Sequence, residues 1–575
     1  MKEEFSSVNG AGTGIAPRLT RRQTLPVLAG ILGAGLAASR SAEAEPAGIA
    51  DGAQVFNVRS YGAKGDGKTL DTAAVQRAID ACNGAGGGIV LVPAGSFLIG
   101  TVEMKSNVTL HIAASGVLLG STRGTDYHAV DAIPLTGDTT LEDGNWALIY
   151  AENSKNITVE GPGTINGQGS YFHTPARGEL APSGLRGHQR PYHLLFYRCE
   201  NLRVRNIDLI ASAYHSVRVI ESQRATMDGI YIYNRVNGNN DGFHFISCQY
   251  VMVSNCTVLS GDDACALFGS CQYVTVTNSS FSTRWSCFRF GGGIARDVTV
   301  SNCVLHQVFG CPIKFQGVPG SLFENMSFAN LVLDEVTGPI SISIGPREMH
   351  EGHPGPSEAV AQTPEPPAAV RNISFSNIHG TVTTNPPQLP GYPFRSGYRP
   401  GELHSCIVLN CAGDATMEKI AFENIHLTFG GGGTAEDAGR SNLPQIAGEY
   451  FVLGPMPAYG LYARNARGIT LSNIRFEVEA PDLRPAVILH NVEDAVITGC
   501  TAQGNGEADS VFRFTDTRQI LVSSPRVLGQ AAVFLRVEGA TCEDIIVDGG
   551  NLMRAKQALD LGDGVAKGAV RLRGQ

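Results

Sequence analysis

The chain has 575 residues, a formal net charge of −9 and 17% charged residues, with 69 glycines and 29 prolines. That charge offers no basic surface for a phosphate backbone, so nucleic acid is not an expected partner. The glycine and proline content argues for many short strands joined by tight turns rather than a helical bundle, and repeat folds of this kind run long as one unit.

The first residues read as an address. Thr20-Arg21-Arg22-Gln23-Thr24-Leu25 has the pattern of a twin-arginine export signal, an apolar run of roughly 14 residues from Leu25 to Ala38 follows, and Ala42-Glu43-Ala44 offers a small-residue cleavage site. The run is too short to span ~30 Å of hydrocarbon, and no later stretch is long and apolar enough. Residues 1–44 are therefore expected to be a removable signal. Residues 45–575 are expected to form one exported domain, periplasmic or extracellular and monomeric.

Gly62-Ala-Lys-Gly-Asp-Gly67-Lys68-Thr69 fits the phosphate-loop pattern GxxxxGK[ST]. No second strand ending in a magnesium-binding Asp follows, and what comes next is not a βαβ series. The stretch reads better as a glycine-rich turn before a helix capped by Asp71, with Val75, Ala78, Ile79 and Cys82 on its apolar face. Such a helix would cover the open end of a β stack.

From Gly86 a short motif keeps returning: alternating apolar and polar residues, then Asn or Gly, then another apolar pair. LRVRNIDLI (202–210), VMVSNCTVL (251–259), VTVSNCVL (298–305), ISFSNIHG (373–380) and ITLSNIRF (469–476) are examples. Asn255, Asn278 and Asn302 are 23 and 24 residues apart, and Asn330, Asn377, Asn424 and Asn473 follow at about twice that interval. A period near 23 without intervening helices points to a parallel β-solenoid. An inward Asn at the same point of each coil would bond its neighbours above and below. Insertions at 122–147, 168–192, 346–371, 383–404 and 430–457, rich in Pro and Gly and carrying aromatic and basic residues, are candidate cleft walls.

Of the 13 cysteines, most sit in apolar strand patterns and read as buried thiols; Cys406 and Cys411 are the one candidate disulfide. No cysteine or histidine cluster has zinc spacing, so neither a metal nor another cofactor is expected.

The chemistry concentrates at 239–263, NNDGFHFISCQYVMVSNCTVLSGDD, where Asp241, Asp262 and Asp263 stand in a charge-poor stretch. Asp241 and Asp262 are 21 residues apart across a strand–turn–strand pattern, which would set them on one wall of adjacent coils. Glycoside hydrolysis needs one carboxylic acid to protonate the leaving oxygen and a second carboxylate to activate water or attack the sugar. Close carboxylates divide that labour by raising one pKa. Spacing alone leaves a second reading open, in which the aspartates cap turns or form a cation site.

The opening FNVRSYGAKGDGKTLDTAAVQRAID, the stretches SNVTLHIAASGVLLGST (106–122) and LIYAENSKNITVEGPGTINGQG (148–169), and above all NNDG (239–242) followed by GDD (261–263), resemble glycoside hydrolase family 28. This is the polygalacturonase and rhamnogalacturonase family. The resemblance implies a right-handed parallel β-helix of the pectin-lyase-like kind and an inverting hydrolase of pectic polysaccharides. It makes Asp262 the general acid and leaves Asp241 and Asp263 to hold and activate water. The departures lie just after the acids. The family's Gly-His-Gly coil reads STRWSCFRFGG (282–292), as in a bacterial branch of the family, and its Arg-Ile-Lys becomes Pro312-Ile313-Lys314. His244 also stands where a further acid is common. Those positions hold the sugar carboxylate in the family, so Asn239, His215, His244, Arg284, Arg289 and Lys314 are candidate substrate-binding residues, with Arg284 and Arg289 as replacement charge. The alternatives to a hydrolase are a polysaccharide lyase, with Arg or Lys as base, and a non-catalytic glycan-binding solenoid.

Overall fold

The computed structural model describes residues 54–574 except 132, 134–144, 174–178, 188, 348–364 and 387–397. The expected signal, residues 1–44, lies outside the described residues, as do parts of four of the five insertions.

A single coil shows how the chain builds the rest. Phe243–Ile246, Gln249–Ser254 and Thr257–Ser260 are strands separated by bends, and each pairs in parallel with its counterpart one coil on. Phe243 lies beside Cys265, Val251 beside Val274, and Val258 beside Phe281. Alternation decides what faces in: Gln249–Ser254 buries Val251 and Val253 and exposes Tyr250 and Met252. Repeated along the chain, this gives one 15-stranded and one 27-stranded parallel sheet, wound as a right-handed β-helix. Equivalent side chains stack on one another in the interior. Phe290 lies 4.3 Å from Phe315, and Phe328, Phe375 and Phe422 continue at ring separations of 5.1 and 4.9 Å.

The repeating asparagines sit at the bend inside the larger sheet, where Asn255, Asn302 and Asn377 have φ of 56°, 56° and 53°. Asn tolerates this left-handed conformation better than other side chains with a Cβ. The expectation that they point inward is overturned, because a left-handed residue at a convex bend turns its side chain out. They still form a ladder, on the outer surface: Asn330 donates to Asn302 at 3.0 Å, Asn377 to Asn330 at 3.0 Å, Asn424 to Asn377 at 2.8 Å and Asn473 to Asn424 at 2.9 Å.

At the N-terminal end the helix Thr72–Gly84 buries Val75, Ala78, Ile79 and Cys82 against the first coils. Asp71 stands at its N-cap position but turns away from it. Its carboxylate accepts from the backbone N–H groups of Lys64 and Gly65 at 2.7 and 2.9 Å, closing the glycine-rich turn on itself. Lys68 and Thr69 lie in the strand Asp66–Leu70, so the GxxxxGK[ST] pattern does not run into a helix as a phosphate loop requires. All thirteen cysteines are free and buried, and Cys406 and Cys411 give their thiols to backbone carbonyls instead of each other.

Candidate active site

The acidic residues occupy the turns that lead into successive strands of the 15-stranded sheet. Asn239-Asn240-Asp241-Gly242 precedes Phe243–Ile246, and Gly261-Asp262-Asp263 precedes Cys265–Phe268. Asn240 organises both. Its side chain accepts from the N–H groups of Val236 and Asn237 and donates to the carbonyls of Ser212 and Tyr214. Its own carbonyl accepts from Gly261 and Asp262, at 3.1 and 3.2 Å. Gly242 must be glycine, since a Cβ there would lie 2.4 Å from the Ala264 carbonyl oxygen. The two turns are therefore one construction, and the three aspartates on it share one cleft floor.

Each carboxylate has its own surroundings. Asp241 is buried, with His244 Nδ1 at 3.1 Å and His215 Nε2 at 3.6 Å. Asp262 is partly exposed and accepts from the Asp263 N–H at 2.9 Å. Asp263 accepts from the Ser286 N–H at 3.2 Å and has Arg289 Nε at 3.9 Å. Loss of solvent raises the pKa of both Asp241 and Asp262, and the neighbouring aspartates raise them further. Two arginines, Arg218 and Arg190, pull Asp241 back down, and Lys314 and the Asp263 N–H do so for Asp262. Both carboxyls therefore hold a proton more tightly than an ordinary aspartic acid does.

His215, Asp241 and His244 also bring three metal-ligating side chains within reach of one another. The two imidazoles are stacked, with centroids 4.6 Å apart and planes 8° from parallel. Their in-plane lone pairs lie in two separate planes and converge poorly on a single ion, whereas each ring edge reaches one oxygen of Asp241. The arrangement suits two imidazoles holding a carboxylate. A common ion would need both lone pairs aimed at one point.

Register carries the site along the cleft. His244 lies beside Ala266, Ala266 beside Arg289, and Arg289 beside Lys314. Arg218, one coil before His244, belongs to the same column. Asn239 stands at the rim, exposed, accepting from Arg190, whose guanidinium lies 4.0 Å from the Tyr214 ring centre. Arg284 is different. It is buried behind the cleft, bonded by both terminal nitrogens to Glu402 and stacked on Trp285 and Tyr398, so its charge is already engaged within the protein. Arg190, Arg218 and Glu449 were not foreseen. The strand pattern SVRVI one coil before the acids could have indicated Arg218. Glu449, 3.2 Å from Lys314, arrives from the insertion at 430–457, and nothing in the sequence gives its place.

Clustered carboxylates in one cleft, with Asp241 and Asp262 raised in proton affinity, can supply the acid and the second carboxylate a glycoside hydrolase requires, and that is the class to which the fold and the cluster point. The chain belongs to the glycosyl hydrolases family 28, whose model matches residues 82–389. Among curated relatives it is 27% identical over 344 residues to the exo-poly-alpha-D-galacturonosidase of Dickeya chrysanthemi, covering 49% of this chain and 56% of that one. It is 26% identical over 397 residues to polygalacturonase-2 of Solanum lycopersicum, covering 67% and 78%. The chain spans about half the length of the first curated relatives it matches, 56% and 43%. Among solved structures, the family 28 exopolygalacturonase of Yersinia enterocolitica shares the fold, with a TM-score of 0.50, 18% identity, and coverage of 83% of this chain and 78% of that one.

Proposed function

We propose that this protein hydrolyses glycosidic bonds of a pectic or related cell-wall polysaccharide, with Asp262 as general acid and Asp241 and Asp263 holding and activating the attacking water. The observation that carries this reading is the shared turn built on Asn240, which sets three carboxylates on one cleft floor, with burial and mutual repulsion raising the proton affinity of Asp241 and Asp262. In the reaction Asp262 gives its proton to the glycosidic oxygen as the bond to the anomeric carbon breaks. Water attacks that carbon from the opposite face and passes a proton to the Asp241/Asp263 pair. His244 and His215 hold the Asp241 carboxylate at fixed orientation, and the low local dielectric strengthens the field the water meets.

Asp262→Asn keeps the shape of the side chain and removes the proton donor. It is expected to lower kcat by about 10²–10⁴-fold, with little change in KM. NMR of the first-formed anomer in wild-type digests should show inversion; a retained anomer would require one aspartate to act as nucleophile. The lyase alternative needs an unprotonated Arg or Lys; of the basic side chains beside the acids, Arg289 faces the carboxylate of Asp263 and Lys314 that of Glu449, which keep them charged. The same reading takes residues 1–44 as a twin-arginine signal and residues 45–575 as the exported catalytic unit. It treats the histidine-free coil 282–292 as a variation within the family compatible with activity.

A further inference from the structure

We infer that Glu449 occupies the anion position of the cleft, so that the sugar unit lying over Lys314, beside the bond to be cut, is one that carries no carboxylate; this rests on the hydrolase reading above. Lys314 projects from the same column of the sheet as Arg289, one coil beyond it and two beyond the coil of Asp262 and Asp263. Coils stack at ~4.8 Å, so its backbone stands about 10 Å along the axis from that of the acids. It is close enough for its charge to act on Asp262. A substrate carboxylate next to the scissile bond would seek this ammonium. That place is taken: Lys314 is buried, lies 3.2 Å from the Glu449 carboxylate, and has the face of Trp285 at 5.4 Å.

Glu449 is held there by its backbone. The carbonyl of Ala447 accepts from Gln316 at 2.9 Å and that of Ile446 from Asn410 at 2.9 Å, both donors standing on the cleft sheet. On the other side, the hydroxyl of buried Tyr450 reaches the carbonyls of Ile340 and Cys406, each at 2.9 Å. The charge is fixed as well. Burial works against ionisation of Glu449, but Lys314, Arg289 and Arg399 outweigh it and hold the carboxyl below its ordinary range. An incoming carboxylate would therefore meet a stationary like charge and a cation already satisfied. A neutral unit of the same shape would meet a closed ion pair and the partly exposed Trp285. Discrimination by a built-in repulsive element is an efficient way to separate ligands of equal size.

The test uses two oligosaccharide series of one backbone, galacturonate oligomers as free acids and the same oligomers as methyl esters, with wild type, Glu449→Gln and Lys314→Gln. Reducing-end release is expected to favour the ester at least tenfold in wild type. Glu449→Gln should collapse that ratio by gaining on the acid. Lys314→Gln, which removes the ammonium 3.2 Å from Glu449, should widen the ratio. Calorimetric binding in the Asp262→Asn background reads the same preference without turnover. If the ester preference appears in binding but no reducing ends are released by wild type, the inference stands and hydrolysis falls. A wild-type preference for the acid that Lys314→Gln abolishes would overturn it, as would equal losses on both series in Glu449→Gln, or no binding of the ester.

Discussion

Asp262 is the residue at which function and stability pull in opposite directions. Its raised pKa means that the folded protein binds its proton more tightly than the unfolded chain does. A carboxyl of this kind contributes stability that is fully present below its unfolded value, about 3.9, and is lost as pH rises through the folded value. Ionising Asp262 therefore costs the folded protein stability, while the same raised proton affinity is what lets the carboxyl serve as an acid. Asp262→Asn mimics the protonated side chain and should be more stable than wild type at pH 7, by about 1.4 kcal/mol for each unit of pKa difference. The gain should shrink to nothing as pH falls towards 4. Urea unfolding of both proteins at a series of pH values checks this, and an Asn variant less stable than wild type at pH 7 would contradict the proton assignment.

At the scale of the element, the asparagine ladder separates backbone need from side-chain bonding. Asn377 takes φ of 53°, donates to Asn330 and accepts from Asn424. Asn377→Ala loses both bonds and strains the bend; Asn377→Gly loses the bonds but accepts the conformation. With each exposed bond worth about 0.5–1.5 kcal/mol and the left-handed Cβ penalty about 1–2 kcal/mol, urea unfolding should rank Ala below Gly and Gly below wild type. Equal effects of the two substitutions would mean that bonding alone matters. The repeat itself was legible in the sequence, because a period near 23 and strict alternation leave little besides a stacked coil. The direction of the asparagines was not, since a one-residue bend between strands reverses a side chain without altering the spacing. The site divides in the same way. Asp241, Asp262 and Asp263 lie within one period and could be placed together, and register then carried His244, Arg289 and Lys314 to the same face. Arg284 and Glu402, 118 residues apart, and Lys314 and Glu449, 135 apart, meet through insertions whose paths no periodicity describes.

Across the whole molecule, the cysteines show how the solenoid handles thiols without crosslinks. All thirteen are free and buried, spread from Cys82 to Cys542. Several stack in the interior, as Cys265 does between Phe243 and Phe288 of the adjoining coils. Burial pushes the thiols of Cys199, Cys271 and Cys303 up to about 11 and those of Cys256, Cys406 and Cys500 up to about 12, so at these positions the reactive thiolate is scarce as well as inaccessible. In the native protein iodoacetamide should modify none of the thirteen over an hour at pH 8, and all thirteen after denaturation in guanidinium, as counted by intact mass. Because no crosslink constrains the unfolded chain, dithiothreitol should leave the thermal midpoint unchanged. A lowered midpoint, or a denatured mass short by pairs of modifications, would reveal a disulfide, and Cys406 and Cys411 would be the pair to examine first. Stability that rests on stacked apolar coils instead of bridges also predicts where unfolding begins. In a solenoid each coil is held by its neighbours, so the strands Ala555–Leu561 and Val570–Arg573, paired on one side only, should exchange their amide hydrogens before those around Asp241 and Asp262.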